Sequence, residues 1–268
     1  MTPTRAIPYF LVDAFTDCPF AGNPAAVCLL PRWRDDAWLQ SVAKEMNLSE
    51  TAYLVRNADV FDLRWFTPAI EVDLCGHATL ASAHVLWQQG LVSSDAEIRF
   101  STRSGILKGV RHAGQIELDF PLTPEKPAEA PAGLIQALGV QAKYVGRNQF
   151  DYLVEVESET VLRRLAPDFS ILATVSCRGI IVTARSDDAR FDFVSRFFAP
   201  AAGVAEDPVT GSAHCCLADF WGKRLGKTSF VAYQASARGG IVHVRMHGDR
   251  VFLGGQAVVV AKGELMVG

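Results

Sequence analysis

The sequence predicts an α+β protein of two similar halves, each a β-sheet wrapped on one apolar helix. Three observations predict it: a segment that occurs twice, two helical runs with almost no polar face, and a proline-rich connection between them. The duplicated segment runs Leu63-Arg64-Trp65-Phe66-Thr67-Pro68 into Cys75-Gly76-His77-Ala78. It returns as Val194-Ser195-Arg196-Phe197-Phe198-Ala199-Pro200 running into Thr210-Gly211-Ser212-Ala213. Each copy reads as a strand, a polar loop, a glycine and a helix. Phe66 to Phe198 is an offset of 132 residues (198 minus 66), and Gly76 to Gly211 one of 135 (211 minus 76), so the second loop is three residues longer.

The elements follow in order. Residues 9–12 and 25–30 read as strands flanking the turn signal Gly22-Asn23-Pro24, and residues 61–65 alternate apolar with polar as a half-buried strand does. A helix over residues 35–47 sets Leu39, Val42, Ala43 and Met46 on one face. A second, over residues 76–89 and closed by Gly90, carries Ala78, Leu80, Ala81, Ala83, Val85, Leu86 and Trp87, which leaves little wettable surface and predicts a helix inside a curved sheet. Pro121, Pro124, Pro127 and Pro131 exclude a helix or a central strand around them, so residues 1–121 form one half, 133–268 the other and 122–132 the connection, with the last strands free to cross back. In the second half residues 152–154, 179–182 and 191–198 read as strands, followed by a buried helix from Ser212 to about Lys223 and short strands near Phe230, Ile241, Val251 and Val258.

Composition excludes several classes. With 49% hydrophobic and 21% charged residues the chain has a full core and no sign of disorder, and a net charge of −3 without a basic block leaves nothing to track a phosphate backbone, so nucleic acid is not expected as a partner. Residues 1–8 hold no apolar core of a signal peptide and no run reaches the length of a membrane span, which places the protein in the cytoplasm by default. The six cysteines at 18, 28, 75, 177, 215 and 216 show no CxxC spacing and are expected as reduced thiols.

Where each repeat opens a helix, the first backbone N–H groups lack internal partners and carry the positive end of the dipole, so two such ends facing one cleft would clasp an anion. Glu50 stands where the first helix ends and a strand begins. It is either a surface carboxylate or one drawn into a partly buried cleft, where desolvation would raise its pKa toward a proton shuttle's range. His77 follows Gly76 at a helix start, where the dipole favours the neutral imidazole; it is either catalytic or satisfied by backbone. His84 reads as a packed or half-exposed helix residue. Asp207 and Ser212 precede and open the second helix, and either could cap it. Cys75-Gly76-His77 and His214-Cys215-Cys216 put soft ligands in equivalent regions, but the spacings fit no common zinc pattern. Gly211-Ser212-Ala213-His214 lacks the second glycine of a hydrolase elbow.

Phe20-Ala21-Gly22-Asn23-Pro24-Ala25-Ala26-Val27, Asn47-Leu48-Ser49-Glu50-Thr51-Ala52, Cys75-Gly76-His77-Ala78-Thr79-Leu80 and Glu206-Asp207-Pro208-Val209-Thr210-Gly211-Ser212-Ala213 together resemble the PhzF family of phenazine-biosynthesis-like proteins, in the family's order and across essentially the whole chain. The resemblance implies a diaminopimelate-epimerase-like fold with the active site between the halves, no metal or organic cofactor, a homodimer, and an isomerase acting on a small carboxylate substrate. The family's phenazine enzyme isomerises dihydro-hydroxyanthranilate by moving a proton along a conjugated system. Carried over by motif, Glu50 is the proton shuttle, His77 and Asp207 orient substrate and assist protonation, and Ser212 with the Gly76 and Gly211 amides binds polar groups. The related racemases use one cysteine per half; here the first of those positions holds Cys75 and the second Thr210, whose hydroxyl is no base near neutral pH. Near the C-terminus the family's Gln-Gly and Gly-Arg-Pro are replaced by Gln234-Ala235-Ser236-Ala237-Arg238-Gly239-Gly240. The leading expectation is a cofactor-independent isomerase using Glu50; the competing ones are a non-catalytic small-molecule binder and a metal-dependent hydrolase.

Overall fold

The computed structural model describes residues 6–266; residues 1–5, part of the segment read for a signal peptide, lie outside the described residues, as do 267 and 268. The chain forms two compact units, one of Met1–Asp119 with Gly254–Gly268, the other of Phe120–Leu253. The proline-rich residues 122–132 belong to the second unit. Lys126–Pro127 pairs with Arg147 and Gly146, and the Tyr144 hydroxyl donates to the buried Glu125 carboxylate.

In the first unit Ile7–Ala14 pairs antiparallel with Asn23–Leu30, which runs parallel to Glu50–Asn57 after the crossover helix Asp36–Met46. Glu50–Asn57 pairs antiparallel with Val60–Phe66. That strand takes the short Glu71–Val72 on one stretch and, after the helix Gly76–Gln88, the parallel Ile98–Thr102 on another. Gly105–His112 continues antiparallel, and Ala257–Leu265 closes back on Ile7–Ala14. The second unit repeats this sequence of pairings: Ala142–Arg147 antiparallel to Asp151–Val156, parallel to Gly179–Arg185, antiparallel to Phe193–Ala199, antiparallel to the short Val204–Asp207, then the helix Gly211–Leu225, parallel Ser229–Gln234 and antiparallel Gly240–His247. The duplication read from two segments thus extends over whole sheets.

One side-chain device is repeated with the topology. Arg64 grips Glu71 through Nε and Nη2, both at 2.6 Å, and lies over Phe66. Arg196 grips Glu206 at 2.7 and 2.8 Å and lies over Phe198. A bidentate guanidinium–carboxylate pair has fixed geometry as well as charge. In both units it fastens the short strand that delivers the chain to the buried helix.

Both central helices are buried nearly all round. In Gly76–Gln88 ten side chains are buried, among them Leu80, Leu86 and Trp87, and each large apolar chain taken from water contributes roughly 1.5–3 kcal/mol. The boundaries differ slightly from expectation: the helix stops at Gln88 with Gly90 left-handed one residue past the cap, and the second helix runs Gly211–Leu225 rather than 212–223, ending on left-handed Gly226. Gly22-Asn23-Pro24 is not a turn as a whole. Only Gly22 is left-handed, at φ +64°, while Asn23 and Pro24 already belong to the strand, where a proline is tolerated near the first position.

Glu50 and Gly179 open equivalent strands, since Thr51 pairs with Phe66 as Ile180 pairs with Phe198. The space that Glu50 fills in the first unit is filled in the second by an aromatic ring. A Cβ on Gly179 would stand 2.2 Å from Cζ of the buried Phe197. Gly179→Ala is expected to cost about 1–3 kcal/mol through overpacking, read as a lowered urea midpoint with an unchanged slope.

Candidate active site

Glu50 is the first residue of its strand, and its carboxylate reaches the imidazole of His77, with Oε2 at 3.1 Å from Nε2. His77 is the second residue of the buried helix and is itself buried; the Glu50 side chain keeps 18% of its surface exposed. The other ring nitrogen, Nδ1, lies 3.2 Å from Asn23 Nδ2 and 3.5 Å from Cys75 Sγ. An amide N–H can only donate, so in the neutral ring Nδ1 accepts from Asn23, while Nε2 faces Glu50 as a close charge contact without the alignment of a hydrogen bond. In the charged ring the Nδ1–H has the Cys75 sulfur as its acceptor. The site therefore provides a partner for either protonation state.

The expectation of a neutral His77 is corrected. Burial works against the imidazolium, but the Cys75 and Glu50 side chains outweigh it and hold His77 well above its ordinary value. Burial also pushes the Cys75 thiol up to about 11, so near neutral pH it is protonated and the charge facing His77 is the carboxylate of Glu50. A full charge in contact exceeds the half-charge of a helix end, which is why the dipole does not decide. His84, two turns further along the same helix, is half-buried and its pKa is lowered by burial and by Arg111.

The second unit builds a different arrangement at the matching place. Thr210, in the position of Cys75, is the N-cap of its helix but makes no side-chain cap; its hydroxyl donates instead to the Asp207 carboxylate. The N-cap position falls on Thr210 rather than on Asp207 or Ser212. Gln234, fully buried, accepts the Thr210 N–H at 2.8 Å and donates to the Asp207 carbonyl at 2.7 Å. The loop carrying Asp207 is thus locked from the neighbouring strand. Ser212 is half-buried on the first turn, and Gly211 opens the helix, as Gly76 does in the first unit. Below them His214 Nδ1 is bonded to the Thr210 carbonyl at 2.8 Å, as Thr79 Oγ1 is to the Cys75 carbonyl at 2.6 Å.

Among the described residues, Glu50, Cys75 and His77 are the one group whose donor atoms converge closely enough to hold a metal, all within 4.8 Å of one another. The fit is poor. Glu50 meets Nε2 and Cys75 meets Nδ1, so carboxylate and sulfur lie on opposite nitrogens of one ring, whereas a zinc ligand set directs all its atoms at one point about 2.0–2.3 Å away. A line of polar contacts through the imidazole describes this arrangement better than a cage.

Two residues of this architecture were not marked as functional in the sequence. Asn23 was read as part of a turn, yet it is fully buried and holds the His77 ring; a polar residue at the mouth of an apolar strand was the available signal. Gln234 drew notice only as the start of a divergent segment. Replacing Asn23 by Ala removes the amide that packs 3.2 Å from Nδ1 and is expected to lower kcat about ten- to a hundredfold with little change in KM, because the ring keeps its Glu50 contact but not its orientation. Equal loss in KM alone would show that Asn23 serves binding instead.

A protein-family model described as phenazine biosynthesis-like protein, PhzC-PhzF, matches residues 12–263. A protein of Halalkalibacterium halodurans named as an uncharacterised isomerase is 56% identical over 97% of this chain and 98% of its own length. The crystal structure of a PhzF-family phenazine biosynthesis protein from Enterococcus faecalis superposes with a TM-score of 0.92 at 41% identity, over 97% of this chain and 99% of that one. A hydroxyproline epimerase from Agrobacterium vitis shares the fold alone, with a TM-score of 0.65 at 11% identity over 99% and 94% of the two chains. The expected diaminopimelate-epimerase-like architecture is borne out by these likenesses. No helix among the described residues is long and apolar enough to cross a membrane.

Proposed function

We propose, from the premise that this chain belongs to the phenazine biosynthesis-like PhzC-PhzF family and is an isomerase, that Glu50 carries the migrating proton. The substrate class is a small carboxylate, cyclic or unsaturated, with an activated C–H bond. In the first step that C–H bond breaks, its proton forms an O–H bond on Glu50 and its electron pair enters the conjugated system. In the second the same O–H bond breaks and the proton adds to another carbon of that system, so substrate and product have the same formula and no oxidant or cofactor is needed.

The observation that carries this reading is the Glu50–His77 pair at 3.1 Å. Its imidazole faces the carboxylate at close range, and Asn23 and Cys75 fix the far side of the ring. A one-base route is also supported by the asymmetry of the repeat. Gly179 stands where a second Glu50 would be, and the hydroxyl of Thr210, in the place of Cys75, is engaged as a donor to Asp207. Opposed thiols of the racemase kind therefore have no counterpart here. In the same proposal the Gly76 and Gly211 amides, at helix starts without side-chain caps, stabilise negative charge on the substrate; Ser212 adds a hydroxyl, and His77 and Asp207 orient the substrate and assist protonation. Assembly as a homodimer, implied by family, belongs to this proposal and is checked by sedimentation.

The test is solvent-deuterium incorporation at carbon, followed by NMR with a panel of cyclic and unsaturated carboxylic acids. Exchange that depends on Glu50 supports the reading; ligand binding without exchange would move the weight to a binding protein. Zinc in stoichiometric amount by elemental analysis, with exchange lost on chelation, would favour the hydrolase alternative instead.

A further inference from the structure

The second unit contains a depression of about 530 Å³ whose residues take no part in the chemistry above. Its lining includes Arg147, Phe150, Thr174, Val175, Ser176 and Arg178, all from Phe120–Leu253. The two arginines are not alike. Arg178 is committed: it forks onto both oxygens of Asp151, which is fully buried, and lies 4.8 Å over the Phe150 ring. Arg147 donates to the Tyr152 hydroxyl at 3.2 Å and lies 4.9 Å over that ring, but no carboxylate among the described residues pairs with it. Asp151 neutralises Arg178, so one positive charge is left over at the mouth.

The walls are held in place before anything binds. Phe150 keeps 43% of its surface exposed, yet its backbone is fixed: Asn148 Oδ1 accepts the N–H groups of Phe150 and Asp151 at 2.7 Å each, and the Phe150 carbonyl accepts the Arg178 N–H at 2.9 Å. The opposite wall is a turn closed by bonds from Thr174 N–H to the Ile171 carbonyl and from Cys177 N–H to the Val175 carbonyl. An exposed aromatic ring, a buried Val175, two hydroxyl-bearing residues and an uncompensated guanidinium on a rigid frame are the usual makings of a small-molecule site, where prior ordering lowers the cost of binding.

We propose that this depression binds a small organic anion with a flat apolar body, its carboxylate on Arg147 and its ring against Phe150. The site is separate in sequence and in residues from the Glu50–His77 pair and does not depend on the isomerase reading.

The experiment is a fluorine NMR titration of the full chain with 4-fluorobenzoate, with inorganic phosphate titrated in parallel. Binding is expected to weaken about tenfold or more in Arg147→Gln, because a charge-assisted fork is lost, and clearly in Phe150→Ala, while Glu50→Gln leaves it unchanged. Both substitutions are at exposed positions, and a melting curve shows whether the fold is kept. Arg178 is left intact, since its removal would strand buried Asp151. Affinity equal in wild type and Arg147→Gln, absence of binding at millimolar probe, or loss of binding in Glu50→Gln would overturn the proposal. Phosphate binding as tight as 4-fluorobenzoate, with no effect of Phe150→Ala, would reduce the site to a simple anion contact and overturn the organic part.

Discussion

Glu50→Gln is expected to lower proton exchange at carbon about a thousandfold, within the range that a positioned acid–base group contributes, and to leave ligand binding nearly unchanged. The amide is the same size and can still face His77 Nε2, so the strand start and the helix start keep their contact. What it cannot do is carry a proton. The substitution should also be visible at His77. Burial pushes that imidazole down, and the Cys75 and Glu50 side chains together lift it, so loss of the Glu50 charge should lower its titration by NMR. The sign for stability follows. A histidine whose folded pKa is raised contributes stability that is fully present below about pH 6.5 and lost as pH rises through the folded value. Wild type should therefore gain over Glu50→Gln on the acid side of neutrality. Exchange that survives in the variant on every active substrate would remove Glu50 from the mechanism, and an unmoved His77 titration would show that the pair is not electrostatically coupled.

The duplicated segment was legible because it combines features that survive divergence: an aromatic strand end, a proline, a glycine and a helix start. Its Arg64 and Arg196 lie at equivalent positions in the sequence, but their glutamate partners fall on the far side of a loop that gained three residues, so the repeated Arg–Glu forks became apparent only in three dimensions. The buried helices were legible for a different reason. A helix apolar all round has no amphipathic stripe to misplace, and composition alone says where it goes.

The site was legible by motif and only partly by physics. Glu50 and His77 stand 27 residues apart, and no periodicity joins them; what does is the parallel pairing of Asn23–Leu30 with Glu50–Asn57, which sets Glu50 opposite Ala25 and brings Asn23 within reach of His77. Parallel pairing is a long-range contact that local pattern does not encode. The charge state of His77 was misread for the same cause: the helix dipole is local and could be inferred, while the carboxylate that overrides it arrives from another strand. Gln234 shows the same limit, since its bonds to the Asp207–Thr210 loop span 24 and 27 residues.

Acid should weaken the fold through His214, by an amount on the order of 3 kcal/mol between pH 6.5 and about 4. This imidazole is fully buried in the helix Gly211–Leu225, with Nδ1 bonded to the Thr210 carbonyl, its ring stacked on Phe193, and no hydrogen-bond partner for Nε2 among the described residues. Burial pushes its pKa down to about 4, against a smaller upward pull from the Thr210 carbonyl. The unfolded chain takes up a proton near 6.5 and the folded one does not until about 4, so across that window unfolding binds a proton and stability falls as pH falls. His214→Gln keeps an N–H for the Thr210 carbonyl. It should be less stable near neutrality by about 1–3 kcal/mol, for the lost packing against Phe193, but flatter between pH 6.5 and about 4.5 in urea unfolding. His77 acts in the opposite sense, so the contrast is sharpest when both proteins also carry Glu50→Gln, which reduces the rise that His77 adds on the acid side. Equal acid slopes in that pair would mean that His214 is protonated in the folded state and that its ring has found an acceptor for Nε2.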